Sequence, residues 1–298
     1  MAGSLAPATP VGSTAPSGPD CGGQGKAGLA PGACDTHLHI YDPRYPYADA
    51  AGLRPAPATP AQYLAMRRAL GLERAVVVQP SSYGTDNRCT LQAVAELGRD
   101  RTRAVVVVTP QVADAQLDTL HSQGARGVRI NALRGAALDR DAVAGLCARI
   151  APLGWHLQLH VPGEQLPGLE PWLRTLPAPV VLDHFARLAP ADARSGNPAY
   201  AALCRLLDGG RLWLKLSAPY LVSAGRPPFD DLAGLVGDLV RRAPGRLLWG
   251  SDWPHPGWVD AGGAALDEAA LLRAIREGLG RQEREVLCDN PARLYGFG

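Results

Sequence analysis

The sequence predicts an α/β protein, a TIM-type (β/α)8 barrel that follows a disordered N-terminal leader. Strand-like and helix-like segments alternate eight times, and the strands are short and rich in Val and Leu, which is typical of a parallel sheet closed into a barrel. A length of 298 residues suits one such barrel. A doubly wound open sheet is the alternative, but no strand is followed by a GxGxxG or phosphate-binding loop.

Composition excludes several classes of function. Hydrophobic residues make up 46% of the chain and charged residues 19%, which allows a large core. No apolar run reaches the roughly 20 residues that span a bilayer, so we expect no membrane partner. The net charge of +2 disfavours nucleic acid as a partner. The six cysteines form no CxxC and we find no signal peptide, so a cytoplasmic protein without disulfides is expected; its oligomeric state stays open.

The leader is assigned to residues 1–32, which are rich in Ala, Gly, Pro, Ser and Thr and show no periodicity. Such a segment buries too little apolar surface to offset the entropy of ordering. The barrel domain is assigned to residues 33–298. A long Pro- and Ala-rich loop runs from the first strand to Pro60, and we expect it to lie over the barrel mouth because loops of that length are usually functional.

Short apolar runs predict the strands, and helical segments with capping residues separate them. Thr59-Pro60 has the chemistry that begins a helix, and Asp86 is expected to cap the next one. The predicted strands cover residues 34–40, 74–79, 104–108, 127–131, 155–161, 180–184, 212–217 and 246–252. The predicted helices cover residues 61–70, 87–98, 114–122, 139–150, 164–176, 199–207, 229–242 and 265–277, with a further helical pattern near 283–288.

The first strand carries two histidines two residues apart. Successive side chains of a strand point to opposite faces, so Asp35, His37 and His39 are predicted to share one face. The active sites of (β/α)8 barrels lie at the C-terminal ends of the strands. We therefore expect both imidazoles to point into the barrel mouth.

Polar residues on other strands are predicted to meet these histidines. The Val, Leu and Ile residues are assigned to the outward face, against the helices. Burying a polar group without a partner costs about 1–3 kcal/mol, so a whole set of inward polar residues indicates a functional site. The set comprises His37, His39, Gln79, Ser81, Arg129, Asn131, His156, Gln158, His160, His184, Lys215, Ser217 and Asp252.

Part of this set could bind a divalent metal, because neutral imidazole and carboxylate suit Zn²⁺. Those residues are His37, His39, His160, His184 and Asp252. A two-metal site in this kind of barrel needs an anionic bridging ligand from the fourth strand. That strand offers only Arg129 and Asn131, so we do not predict a bridged pair of metals.

Four motifs resemble the amidohydrolase superfamily. More narrowly, they resemble its amidohydrolase-2 branch, which contains the 2-pyrone-4,6-dicarboxylate lactonases. The resemblance runs from about Ala33 to Phe297, and residues 79–88 add a specific likeness to those lactonases. The motifs are Asp35-Thr36-His37-Leu38-His39, Asp183-His184-Phe185-Ala186-Arg187, Gly250-Ser251-Asp252-Trp253-Pro254-His255-Pro256 and Asn290-Pro291-Ala292-Arg293-Leu294-Tyr295-Gly296-Phe297.

The resemblance implies a hydrolase that opens a lactone with water. Asp252 would be the general base, and His37, His39 and His184 would polarise the carbonyl. We expect no cofactor as the first choice, since the fourth strand lacks a bridging ligand. The alternative is a single Zn²⁺ on His37, His39, His184 and Asp252, with His160 as a further candidate ligand.

The arginines suggest the substrate, because guanidinium groups bind carboxylates in pairs of hydrogen bonds. We expect a small anionic lactone from aromatic catabolism, like a pyrone dicarboxylate or a muconolactone. The predicted substrate-binding residues are Arg129, Arg134, Arg187, Ser81, Ser82, Tyr83 and His160. Two other functions stay open: a Zn-dependent amidohydrolase-type hydrolase or nonoxidative decarboxylase, and a non-catalytic protein that binds small acids.

Overall fold

The computed structural model describes residues 1, 28–48, 54–134, 138–193 and 196–298, although not the side chain of Arg134. Most of the predicted leader, residues 2–27, lies outside the described residues. Leu29 and Ala30 already pack against the core, and the Gly32 amide donates to Glu73 Oε2 at 3.0 Å. The described chain is therefore in contact with the barrel before the first strand begins.

Eight parallel strands form one sheet in chain order, which confirms the TIM-type barrel. They are β1 (Cys34–Leu38), β2 (Arg74–Val78), β3 (Thr102–Val106), β4 (Ala125–Asn131), β5 (His156–His160), β6 (Val180–Leu182), β7 (Leu212–Leu216) and β8 (Leu247–Trp249). The helices are α1 (Pro60–Leu70), α2 (Arg88–Leu97), α3 (Asp114–Ser122), α4 (Arg140–Ile150), α5 (Leu166–Thr175), α6 (Pro198–Asp208), α7 (Ala233–Arg242), α8 (Pro256–Asp260), α9 (Glu268–Leu279) and α10 (Asn290–Tyr295). No helix in the described ranges is long and apolar enough to cross a bilayer.

The barrel closes between β1 and the residues that follow β8. The amide of Asp252 donates to the carbonyl of His37 at 2.7 Å, and the amide of His39 donates to the carbonyl of Trp253 at 2.8 Å. These two bonds place the histidine pair directly beside Asp252. The closure of the sheet therefore builds the core of the site.

One of the two predicted helix caps is confirmed and the other is wrong by one residue. Thr59 caps α1 in a reciprocal arrangement with Gln62, and Pro60 is its first residue. The capping residue of α2 is Asn87 and not Asp86, although Asp86 Oδ1 accepts the Arg88 amide at 3.2 Å. The short helix α8 was not expected, because its five residues are too few to show a helical period.

Hydrophobic residues pack against both faces of the sheet. Val128, Leu157 and Leu214 belong to the layer between sheet and helices, as their predicted outward direction requires. A second cluster lies inside the barrel, where Val76, Val78 and Val105 meet residues of the C-terminal segment such as Tyr295. Arg103, near the start of β3, donates to the Tyr295 carbonyl at 3.2 Å. The C-terminal segment thus closes the end of the barrel opposite to the site.

Two predicted side-chain directions are wrong. Gln79 faces the helices, since its Oε1 accepts the Thr90 hydroxyl of α2 at 2.6 Å. The three consecutive valines before it give no sign of which valines face inward. Asp35 also leaves the face of His37, because the register of β1 shifts between Asp35 and Leu38. Its carboxylate accepts hydrogen bonds from Ser251 and from Tyr63 of α1.

Candidate active site

A cavity of about 240 Å³ opens at the C-terminal ends of the strands. Several of the predicted site residues line it: His39, Ser81, Ser82, Arg129, His160, His184, Arg187 and Asp252. Tyr41, Leu133, Tyr220 and Leu221 complete much of its wall. The volume suits a small molecule and is below that of the usual pocket for a drug-sized ligand.

Asp252 lies at the floor of this cavity, and its carboxylate faces three imidazoles. Its Oδ1 is 3.3 Å from His37 Nε2, 3.6 Å from His39 Nε2 and 4.0 Å from His184 Nε2. Asp252 adopts a left-handed φ of 63°, which is unusual for a residue other than glycine and turns the chain directly after β8. The four predicted catalytic residues are therefore brought together around one oxygen atom.

The buried charges fix the protonation states in this group. Burial raises the pKa of Asp252, but the imidazoles of His184, His39 and His37 outweigh it and lower that pKa below its ordinary range. Burial also lowers the pKa of His37 and that of His184 to about 3. At neutral pH the site therefore holds an ionised carboxylate beside rings that are neutral at His37 and His184.

Hydrogen bonds to Nδ1 orient two of the rings. His39 Nδ1 lies 2.8 Å from the carbonyl oxygen of Val78, which can only accept, so the proton of His39 is on Nδ1. His184 Nδ1 lies 2.9 Å from the hydroxyl of Ser217, which can donate or accept. In a neutral ring His39 Nε2 offers a lone pair to the site, whereas His184 Nε2 can offer a proton.

His37 is completely buried beneath the cavity and touches two charged groups through Nδ1. Asp183 Oδ1 lies 3.3 Å from this atom and Lys215 Nζ lies 3.4 Å from it. Lys215 also donates to the carbonyl of Thr36 at 2.7 Å and to Gln158 Oε1 at 2.8 Å. Burial lowers the pKa of Lys215 to about 8.

Asp183 is a site residue that the sequence analysis missed. Its Oδ2 lies 3.2 Å from Arg129 Nε, so the carboxylate is placed between Arg129 and His37. Burial raises the pKa of Asp183, but His37 and Arg129 outweigh it, and the pKa lies well below the usual range. The alternation along β6 contained the signal: Val180 and Leu182 face the helices, so Asp183 has the inward parity. His184 reaches the site because it turns the chain with a φ of 53°.

Tyr220 is the second functional candidate that the sequence analysis missed. It lies in a short 3₁₀ turn, Pro219–Leu221, that follows β7, and its hydroxyl donates to Asp252 Oδ2. Nothing in the sequence around Tyr220 points to Asp252. The contact exists only because the loops after β7 and β8 are neighbours in the barrel.

The predicted substrate-binding residues differ in whether they reach the cavity. Arg129 and Arg187 line the cavity, and no hydrogen bond to Arg187 or to the Nη atoms of Arg129 forms among the described residues. Ser81 and Ser82 also line it, and Ser81 Oγ accepts from Asn131 at 3.1 Å. Tyr83 does not reach the cavity wall; its hydroxyl bonds to the backbone of Asp42. The side chain of Arg134 lies outside the described part of the chain.

His160 lines the cavity beside His184, with ring centroids 4.7 Å apart. Neither of its ring nitrogens has a hydrogen-bond partner among the described residues. Burial and the charges of His184 and Arg129 lower the pKa of His160 to about 2. A neutral, unpartnered imidazole on the wall is free to bond to a ligand.

The donor atoms also fit a single divalent ion. His37 Nε2 is a buried atom without a hydrogen-bond partner, and one ligand atom each of His37, His39 and Asp252 lies within 4.8 Å of the others. Neutral imidazole nitrogens and a carboxylate oxygen are the donors that Zn²⁺ prefers. His184 Nε2 would be the fourth ligand, as the sequence alternative proposes.

The proteins similar to this chain include lactone hydrolases and a lactone isomerase. It is 34% identical to a 4-sulfomuconolactone hydrolase of Hydrogenophaga intermedia, over 90% of each chain. It is 32% identical to a 2-pyrone-4,6-dicarboxylate hydrolase of Comamonas testosteroni, over 90% of this chain and 91% of the relative. It is 30% identical to a D-galactarolactone isomerase of Agrobacterium fabrum, over 89% of this chain and 91% of the relative.

Solved structures with the same fold cover nearly the whole chain. The apo structure of an Agrobacterium tumefaciens protein superposes with a TM-score of 0.81 at 29% identity, covering 91% of this chain and 98% of that one. A probable 2-pyrone-4,6-dicarboxylic acid hydrolase from Acinetobacter baumannii, with citric acid bound, gives a TM-score of 0.77 at 28% identity, covering 89% and 100%. Residues 34–297 match the family described as Amidohydrolase. The chain belongs to this amidohydrolase family and is an enzyme of the branch that includes the lactone hydrolases.

Proposed function

We propose that this enzyme hydrolyses a small carboxylated lactone. The observation that carries the proposal is the position of Asp252 Oδ1, which faces three imidazole nitrogens at the floor of a cavity walled by Arg129 and Arg187. This small volume then holds a base, imidazoles that can polarise a carbonyl, and two arginines that can bind a carboxylate.

In the proposed reaction Asp252 Oδ1 takes a proton from water as the water oxygen attacks the lactone carbonyl. The negative charge that develops on the carbonyl oxygen is stabilised by N–H groups of the imidazoles. His184 supplies such a group when its Nδ1 accepts from Ser217, whereas His39 supplies it only as an imidazolium because its first proton is on Nδ1. The ring C–O bond then breaks, and the leaving oxygen takes up the proton that Asp252 accepted from water.

The carboxylate of the substrate is proposed to bind Arg129 and Arg187. Arg129 uses Nε for Asp183 and lines the cavity, so its Nη atoms are available to a ligand. Binding energy at this carboxylate would fix the distance between the carbonyl carbon and Asp252. The printed names of the relatives support an anionic lactone, and the citric acid in the Acinetobacter baumannii structure supports a polycarboxylate site.

A single Zn²⁺ is the alternative form of the same proposal. His37, His39, His184 and Asp252 would hold it, and it would supply Lewis-acid polarisation of the carbonyl together with a more acidic bound water. The tautomer of His39 favours this alternative, since a neutral His39 directs a lone pair toward Asp252 Oδ1. The metal-independent reaction stays our first prediction, because the buried Arg129 and Lys215 already match the charges of Asp183 and Asp252.

One experiment tests both forms. Purified enzyme is assayed on 2-pyrone-4,6-dicarboxylate, on muconolactones and on sugar lactones, and its metal content is measured on the same sample. We expect turnover of at least one carboxylated lactone and no loss of rate after chelation. Turnover that disappears with EDTA and returns with Zn²⁺ would establish the metal-dependent form, and turnover of none of these lactones would contradict the proposed function.

A further inference from the structure

Asp183 contacts both His37 and Arg129, which have different roles in the proposed reaction. One of its carboxylate oxygens lies 3.3 Å from His37 Nδ1, and the other lies 3.2 Å from Arg129 Nε. All three side chains are at most 5% exposed. No further side chain in the described ranges forms a hydrogen bond or ion pair with Asp183.

The contact with Arg129 fixes the direction of its guanidinium group. The guanidinium is planar and its five N–H groups point in fixed directions. Once Nε is held by Asp183, the Nη atoms keep one orientation on the cavity wall. A ligand carboxylate then meets an arginine that needs no rearrangement, which strengthens binding.

The contact with His37 affects which ring nitrogen carries the proton. The carboxylate of Asp183 favours a proton on Nδ1, whereas Lys215, 3.4 Å from the same atom, favours the tautomer protonated on Nε2. Lys215 has two nearer acceptors, the carbonyl of Thr36 and Gln158 Oε1, at 2.7 and 2.8 Å. Asp252 Oδ1, 3.3 Å from Nε2, also favours the tautomer protonated on Nε2, so Asp183 is the group that favours a proton on Nδ1.

We propose that Asp183 is a positioning residue that couples the carboxylate-binding Arg129 to the imidazole of His37. It does not line the cavity and acts on the ligand only through these two side chains. The inference rests on the proposed function for the identity of the ligand carboxylate. The coupling itself is a property of the buried charges.

The test measures each side of Asp183 separately and does not need turnover. Citrate serves as the polycarboxylate probe in isothermal titration, and ¹⁵N-histidine spectra report the tautomer of His37, whose signals are identified by their loss in His37→Gln. We expect Asp183→Asn to weaken citrate binding about tenfold or more and to shift the His37 signals toward the tautomer protonated on Nε2. Asp42→Asn, which removes the charge of a buried partner of Arg44 away from the cavity, is the matched control and should change neither.

Arg129→Lys gives a second measurement if Asp183→Asn does not fold. A lysine ammonium cannot bridge Asp183 and a ligand with fixed geometry, so we expect weaker citrate binding together with a shift of the His37 signals, because Asp183 loses the partner of its second oxygen. Citrate affinity of Asp183→Asn within about twofold of the native value, or unshifted His37 signals, would overturn the coupling; for Arg129→Lys, unchanged affinity would do so. If the enzyme binds citrate as described but opens no lactone, the proposed reaction fails and the coupling stands.

Discussion

The proposed reaction depends on proton acceptance by one carboxylate oxygen of Asp252. Replacing the carboxylate by an amide therefore tests this role. Asp252→Asn keeps the shape of the side chain and removes its ability to accept a proton. We expect kcat on the carboxylated lactone to fall by about 10²- to 10⁴-fold, the usual contribution of a general base, with the fold retained but a lower melting temperature, because the buried cations lose a matching charge. Steady-state kinetics and thermal unfolding measure the two quantities. Asp260→Asn, at an exposed position of α8, is the control, and a variant of Asp252 with nearly native kcat would contradict the role of general base.

Tyr220 is expected to lower the pKa of the same carboxylate through a hydrogen bond to its other oxygen, Oδ2. Its hydroxyl donates to Asp252 Oδ2 and so stabilises the ionised form. Tyr220→Phe removes this bond, so the pKa of Asp252 rises and the acidic limb of the pH–rate profile moves to higher pH, by about one unit for a hydrogen bond to a charged group. Tyr200→Phe on α6 should leave the profile in place. An acidic limb that does not move in Tyr220→Phe would show that the hydroxyl has no such effect.

The residues of the site were predictable to the extent that they lie on regular strands. Arg129 and Lys215 follow the alternation of β4 and β7, and the structure places them inside the barrel as that alternation requires. Asp183 and Tyr220 escaped prediction for different reasons. The alternation of β6 gives Asp183 the inward direction, whereas the sequence prediction assigns that direction to His184. Tyr220 lies in a loop whose position depends on the neighbouring loop, and local sequence carries no such information.

At the scale of elements, the approach of β1 to β8 depends on Gly250. A Cβ atom at Gly250 would lie 2.5 Å from His37 Cβ and 2.8 Å from the backbone nitrogen of His37. Gly250→Ala therefore forces apart the two elements that hold His37 and Asp252. We expect a loss of stability of about 1–3 kcal/mol, as for other overpacked cores, together with a large loss of kcat. Urea unfolding and steady-state kinetics measure both.

Gly234 provides the matched control for this prediction. It lies inside α7, has no atom within 4 Å of an added Cβ, and does not have a positive φ. Gly234→Ala should stabilise the protein by about 0.5–1 kcal/mol, because alanine loses less conformational freedom in a helix. If both alanine variants changed stability in the same direction, steric contact with His37 would not explain the effect at Gly250.

Elements were easier to predict than the directions of their side chains. Thr59-Pro60 began α1 as expected, since capping chemistry is local. The predicted directions of Gln79 and Asp35 are wrong for two reasons. The three valines before Gln79 show no alternation of polar and apolar residues, and the register shift of β1 arises from its pairing with β2. The direction of a side chain depends on how its strand pairs with other strands. The residue pattern of a single strand carries no information about that pairing.

At the scale of the whole molecule, the barrel interior holds a balanced set of charges. Arg129 and Lys215 are matched by Asp183 and Asp252, and all four are buried. The histidines around them stay neutral where burial lowers their pKa, as it does for His37 and His184. An unpaired buried charge is far less stable than a pair, so this balance allows the site to exist inside the barrel.

The neutral buried histidines predict that acid destabilises the fold. His37, His156 and His184 have a pKa of about 3 and His160 of about 2 in the folded protein, against 6.5 for an ordinary histidine, and burial is the main cause in each. Between these values the unfolded chain binds protons that the folded protein does not, so stability is greatest above pH 6.5 and falls as the pH falls. Each such histidine contributes about 1.4 kcal/mol per pH unit.

Asp35 acts in the opposite direction over part of this range. Burial raises its pKa from 3.8 to about 6, so below pH 6 the folded protein binds a proton that the unfolded chain does not. A net excess of about three protons on the unfolded chain is left, and we expect the free energy of unfolding in urea to fall by about 4 kcal/mol per pH unit near pH 5. His156→Gln removes one buried imidazole that lacks any hydrogen-bond partner in the described ranges, and it should flatten the slope by about 1.4 kcal/mol per pH unit. A free energy of unfolding that is constant from pH 7 to pH 5 would mean that these imidazoles are already protonated in the folded enzyme.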